Sequence, residues 1–246
     1  MPRVLEVPDI RPVDLPETRQ AIPHVHTYLR ECILDGTLTP GTKLSQVSLA
    51  RQLGISRTPL REVLRMLQEE GLVEIEPNQR TRVAGLDPQE LDDVYASRIL
   101  LETLALSMTI GHFGADSRKE AKRLLAAMRR AAKDGDFAAW FGAHTGYHRL
   151  VTAAAGETLQ RQLRVFADRT TRYIRIYQLS DPGSWQTAGD VEHAEILQAL
   201  IAGDERGALT GMAHHLARTA LRVLADCGGD YQPVAVPHAV TLIESR

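Results

Sequence analysis

Two sets of side chains in this sequence have the types and spacing for chemistry. The first is histidine, of which the chain has nine, unevenly placed. His144 and His148 lie four residues apart, hence on one face of a helix. His193 opens the apolar-periodic stretch VEHAEILQAL, and His214 and His215 sit together in MAHHLARTAL. Imidazoles from three helices meeting inside one bundle would make a site for a divalent transition metal such as Zn, Ni or Mn. Spacing alone leaves this open, because dispersed histidines in a helical protein are more often partly buried or exposed side chains than ligands. His214 is turned about 100° from His215 on a helix and points elsewhere. The second set is Ser56, Arg57, Thr58, Arg61 and Arg65, followed by Arg80 and Arg82. Arginine can pair with guanine O6 and N7, and hydroxyls can meet base edges or phosphates. The competing reading is a row of arginines that only solvates a helix face.

The elements that must position these residues are legible in outline. Residues 1–20 alternate acids, bases and prolines and read as an arm. In residues 21–85, a first helix through Val25, Leu29 and Ile33 stops at Asp35-Gly36, and Pro40-Gly41 makes a turn. Ser45 can cap a short helix carrying Val47, Leu49, Ala50 and Leu53, which Gly54 ends. Ser56 can cap the next, with Pro59 tolerated in the first turn and Leu60, Val63, Leu64 and Leu67 as its buried stripe. Two short helices around a Gly turn are a helix-turn-helix, whose second helix presents Ser56 to Arg65 to the major groove. LVEIEPNQRTRVAG then suits a two-stranded wing, placing Arg80 and Arg82 near phosphate or the minor groove.

Residues 87–226 read as helical almost throughout. They begin with the cap Asp87, Pro88 and Glu90. Further helices are expected from Ser117 to Lys133, Phe137 to Ala154, Thr158 to Leu179, Val191 to Ile201 and Glu205 to Leu224, with breaks at DGD, AAGE, SDPGS and AGDE. Residues 227–246, rich in Gly and Pro, read as a tail. The fold class is mostly α: an N-terminal winged helix-turn-helix and a C-terminal all-α antiparallel bundle.

Composition narrows the classes. Hydrophobic residues make up 43% and charged residues 24%, ordinary values for a globular protein. There is no transmembrane-length apolar run and no signal-peptide core, so a cytoplasmic protein with no membrane partner is expected. Two cysteines far apart offer neither a disulfide framework nor a thiolate metal site. The net charge of −2 excludes a polyanion binder that works by total charge, not one with a concentrated basic element.

In order, the residues PGTKLSQVSLARQLGISRTPLREVLRMLQEEGLV strongly resemble the GntR family of winged-helix regulators. That family's pattern runs PG, L-A-x-x-L-G-V-S-R-T-P-V-R-E-A-L, then G-L-V. The resemblance implies that Ser56, Arg57, Thr58, Arg61 and the wing tip meet DNA. Two positions depart from the pattern: Val47 stands where an Arg or Glu is frequent, and Asn78-Gln79 where the wing tip commonly has Gly. Asn tolerates left-handed backbone, which preserves a turn there. The helical half resembles the FCD ligand-binding domain of the FadR subfamily. The resemblance lies in Arg98 and Glu102 of VYASRILLETLAL, in YHRLVTAAAGETL, in EHAEILQALIAGD and in MAHHL. It implies a metal on His148, His193 and His215, with His144 in a ligand position where such domains commonly have Asp. It also implies a small organic acid as effector. Arg98 could clamp that carboxylate or pair with Glu102 four residues on, an interaction worth only ~0.3–0.5 kcal/mol; the two roles are compatible.

The expectation is a homodimer joined through its helical domains, each subunit reading half of a near-palindromic double-stranded DNA operator. It is read as a repressor and not an enzyme. A metal-dependent hydrolase with an appended DNA-binding domain is the rival from another class, but HExxH, GxSxG and a Gly-rich phosphate loop are missing. A metal-free sensor is the other alternative, and its pocket would be apolar and lack these histidines.

Overall fold

The structure is a computed structural model that describes residues 21–76, 80–85, 87–180 and 184–245. The arm at residues 1–20, the wing-tip residues 78 and 79 and the side chain of Arg80 lie outside the described residues. The chain divides into two compact units, Met1–Leu86 and Asp87–Arg246.

In the first unit, α1 (Ala21–Leu34) packs on α3 (Arg57–Glu69), and α2 (Gln46–Gln52) packs on α3 as well. One core unites them: Val25 and Leu29 of α1, Leu49 of α2, and Leu60, Val63, Leu64 and Leu67 of α3. Ser45 caps α2, its hydroxyl accepting the Ser48 N–H at 3.3 Å. Gly54 takes φ +66°, the left-handed turn between the two helices that a side chain would strain. Ser56 occupies the N-cap of α3, but its hydroxyl makes no capping hydrogen bond.

The wing differs from the expected hairpin. Strands β2 (Val73–Glu76) and β3 (Arg80–Val83) pair antiparallel, and β1 (Lys43–Leu44) adds a third strand on the other side of β3. So short a strand carries no readable alternation, which is why the sequence hid it.

The second unit is all α. Its elements are α4 (Pro88–Ile110), α5 (Ala115–Asp134), α6 (Phe137–Val151), α7 (Glu157–Ser180), α8 (Ser184–Ala202), α9 (Glu205–Cys227) and α10 (Ala235–Glu244). Asp87 starts α4, accepting the N–H groups of Gln89 and Glu90 at 3.0 and 3.2 Å. α4 packs against α7, α9 and α10, so it buries polar residues on several sides as well as apolar ones. α5 packs on α6 and α8, and α8 on α9. Gly211 permits the last contact, since a Cβ there would stand 3.1 Å from Ile196 Cγ1.

Two expectations are corrected here. α8 begins at Ser184 rather than Val191, because the helix runs straight through Gly189. The segment 227–246 is not a tail: Ala235–Glu244 forms α10, packed on α4 and α9 with Val236, Ala239 and Ile243 buried. Pro237 sits in its first turn, where no intrahelical N–H is lost. Its capping group comes from a distance. The carboxylate of Asp92 accepts the backbone N–H groups of Val234, Ala235 and Val236 at 2.8–2.9 Å and the Tyr231 hydroxyl at 3.0 Å. No described helix is long and apolar enough to cross a membrane.

Candidate functional site

His144 and His148 project from one face of α6, His193 from α8 and His215 from α9. All four are buried, and one ring nitrogen of each lies within 4.8 Å of those of the other three. The bundle fixes the rings by what their other nitrogens touch. His148 Nδ1 lies 2.8 Å from Glu102 Oε2 on α4. His215 Nδ1 lies 2.8 Å from Glu192 Oε2 on α8, and Arg218 holds the same Glu192. The His193 ring bonds the Gly189 carbonyl, while Tyr147 donates to the His193 carbonyl at 2.8 Å. His144 stacks on Trp140 with 4.6 Å between ring centroids.

These contacts set the tautomers. Burial opposes ionisation of Glu102, but Arg98 and then His148 outweigh it and pull its pKa down to about 2. A carboxylate can only accept, so His148 carries a proton on Nδ1 and turns its Nε2 toward the other rings. A backbone carbonyl likewise accepts only, so His193 does the same. The two Nε2 atoms nevertheless face each other at 3.4 Å. Burial, reinforced by neighbouring imidazoles, holds His144 and His193 well below the usual histidine range. Burial also lowers His215, to about 4, against the pull of Glu192. Four buried ring nitrogens this close together can share one electrophile. The donor set therefore fits a divalent metal, and the acceptors behind the rings are those that orient metal-bound imidazoles.

A cavity of about 240 Å³ opens beside His144 and His148, lined also by Arg98, Glu102, Arg149 and Arg164. Arg98 is committed within it. Its Nε donates to Glu102 Oε1 at 2.8 Å, its Nη1 to Thr170 Oγ1 at 2.7 Å, and both Arg98 and Glu102 are buried. The cavity's exposed cations are Arg149 and Arg164. The sequence did not single them out; their positions near His148 and on α7 carried no motif. Glu192 was also missed, although it stands beside His193 in the EH pair, because it serves His215 instead. His214 turns outward to Glu244 Oε1 at 2.8 Å.

In the first unit, Ser56, Arg57, Thr58 and Arg61 are exposed together at the start of α3. Arg65 is exposed too, but its guanidinium is engaged by Glu62 and Glu69 on the same helix. Arg82 on β3 bonds Glu74 across the ladder at 2.7 Å. Val47 is 64% exposed on α2.

The profile described as "Bacterial regulatory proteins, gntR family" matches residues 22–83, and that of the FCD domain matches residues 93–218. An uncharacterised HTH-type transcriptional regulator in the TAR-I ttuE-ttuC' intergenic region of Agrobacterium vitis is 32% identical, over 52% of this chain and 77% of that protein. A probable D-xylose utilization operon transcriptional repressor of Paenarthrobacter nicotinovorans is 29% identical, covering 75% and 80%. The solved structure of E. coli McbR/YncC shares the fold, with a TM-score of 0.71 at 22% identity over 83% of this chain and 97% of that one.

Proposed function

The chain belongs to the GntR family of bacterial regulatory proteins, with an FCD domain behind its DNA-binding head, and from that premise we propose a repressor controlled by a small organic acid bound beside a histidine-held metal. Sequence-specific DNA binding as a transcription regulator is the family's activity. The finer reading concerns control. The observation that carries it is the cavity of about 240 Å³ that borders two of the four converging histidines and is rimmed by Arg149 and Arg164.

His144, His148, His193 and His215 would hold the metal, which when bound supplies a Lewis-acidic position for an effector oxygen. Glu102 and Glu192 keep His148 and His215 in the required tautomer. Arg149 and Arg164 draw an anion to the mouth, and Arg98 sets the charge of Glu102 and borders the bound acid. On the DNA side, Ser56, Arg57, Thr58 and Arg61 read base edges, while Arg80 and Arg82 serve the backbone. Arg65 joins them by exchanging its two glutamates for a phosphate. Two copies, paired through their helical units, would span a near-palindromic operator. The naming of the Paenarthrobacter relative as a probable repressor supports the sign of control.

The test is a thermal-shift screen of small mono-, di- and tricarboxylates against metal-loaded protein, followed by operator binding with each hit. A hit should raise the melting temperature only with metal present and shift operator affinity by roughly 5- to 150-fold, the usual span of allosteric coupling. A hit recovered chemically altered after incubation would point instead to the hydrolase. No carboxylate acting on either readout would dismiss the reading.

A further inference from the structure

The four histidines can be approached from two sides. His144 and His148 border the cavity already described. A second cavity, of about 220 Å³, is bordered by His193 and Trp140, with Arg129 and Lys133 of α5 and Asp190 of α8 among its described lining. Arg129 Nε donates to both Asp190 oxygens, at 2.7 and 2.8 Å, and so ties α5 to α8 across this cavity. Asp190 follows Gly189, whose carbonyl takes the His193 ring N–H. It also precedes His193 by three residues, which puts both on one face of α8.

Resting on the metal reading of the histidine cluster, we propose that this second cavity is the route by which the metal enters and leaves, and that the Arg129–Asp190 pair is its latch. The first cavity is the one taken for the acid, which leaves the His193 side as the route for the ion. With the latch closed, the Arg129 guanidinium is held across the cavity against Asp190. With it open, that guanidinium swings clear and the ion can pass His193. The latch is none of the four ligands, so it governs rate and not affinity. Its side chains are 55% and 31% exposed, and ion pairs so placed are weak enough to open thermally.

The experiment loads the full chain with Zn(II), adds excess EDTA, and follows ion loss by stopped flow. Arg129→Ala and Asp190→Asn should each speed release roughly two- to fivefold, the factor that breaking an exposed pair allows, with equilibrium Zn(II) affinity unchanged. Lys133→Ala, which removes a neighbouring charge but keeps the latch, should release at the wild-type rate. Metal that binds but leaves no faster from either latch variant would overturn the inference. So would equal acceleration by Lys133→Ala. A wild-type chain that retains no Zn(II) would instead remove the histidine reading, and this inference with it.

Discussion

Glu102 joins a cation to an imidazole: Arg98 holds one of its oxygens and His148 donates to the other, all three side chains being buried. Glu102→Gln keeps the shape but loses the charge that fixes the His148 tautomer. It should weaken metal binding by roughly 10- to 100-fold, the usual effect of removing a group behind a ligand, measured by competition with a chromophoric chelator. Unchanged affinity would mean that His148 is not a ligand. The depressed imidazoles make a second prediction. The unfolded chain takes up protons near pH 6.5, whereas folded His215 does so only at about 4 and His144 and His193 also resist. Between those values the unfolded state binds more protons, so stability falls as pH falls. Glu102, with its pKa at about 2, extends the loss downward from the ordinary carboxylate range. Metal-free protein should therefore melt lower at pH 5 than at pH 7.5 by calorimetry; an equal or higher melting temperature at pH 5 would contradict the buried neutral cluster. On the DNA side, Arg57→Ala or Arg61→Ala should cost ~1–3 kcal/mol of operator binding and relax base preference. A loss equal for all sequences, seen by fluorescence anisotropy, would reassign them to phosphate.

Among the elements, α10 shows where sequence reading stopped. The winged head was legible because each of its signals is local: Ser45 at a cap, Gly54 at a left-handed turn, and Leu60, Val63, Leu64 and Leu67 on one stripe. The bundle's helices were largely legible for the same reason, and spacing put His144 and His148 on one face, but it was the resemblance to FCD domains that joined His193 and His215 to them. α10 was not, because its cap is Asp92, more than a hundred residues away in the chain. The two-residue β1, the service of Glu192 to His215 and the place of Arg149 and Arg164 on the cavity are likewise facts of tertiary packing. Asp92→Asn replaces a charged acceptor of four donors, and hydrogen bonds to charged groups are worth more than neutral ones; we expect ~1–3 kcal/mol of lost stability. The surrounding N–H groups and hydroxyl hold its pKa down even though burial opposes ionisation. The stabilisation is therefore full above about pH 4 and fades as pH falls through the lowered folded value. Denaturant titrations of wild type and variant should converge as the pH falls through that value, and a penalty that stays constant throughout the acid range would show that Asp92 acts by shape instead.

For the molecule as a whole, two functions sit in two separately packed units. The head needs no metal to fold: its core is made of its own apolar residues. Metal removal should thus leave the head intact and abolish the response to effector, visible as operator binding that persists but is no longer tuned. The proposed effector control rests on the four buried histidines holding an ion, which metal content checks. The chain would be purified without chelator or nickel affinity and analysed by elemental mass spectrometry beside the double variant His148→Ala/His193→Ala. About one divalent ion per chain is expected of a site built from four imidazoles, together with its loss in the variant. No ion in either protein, or an equal content in both, would contradict it.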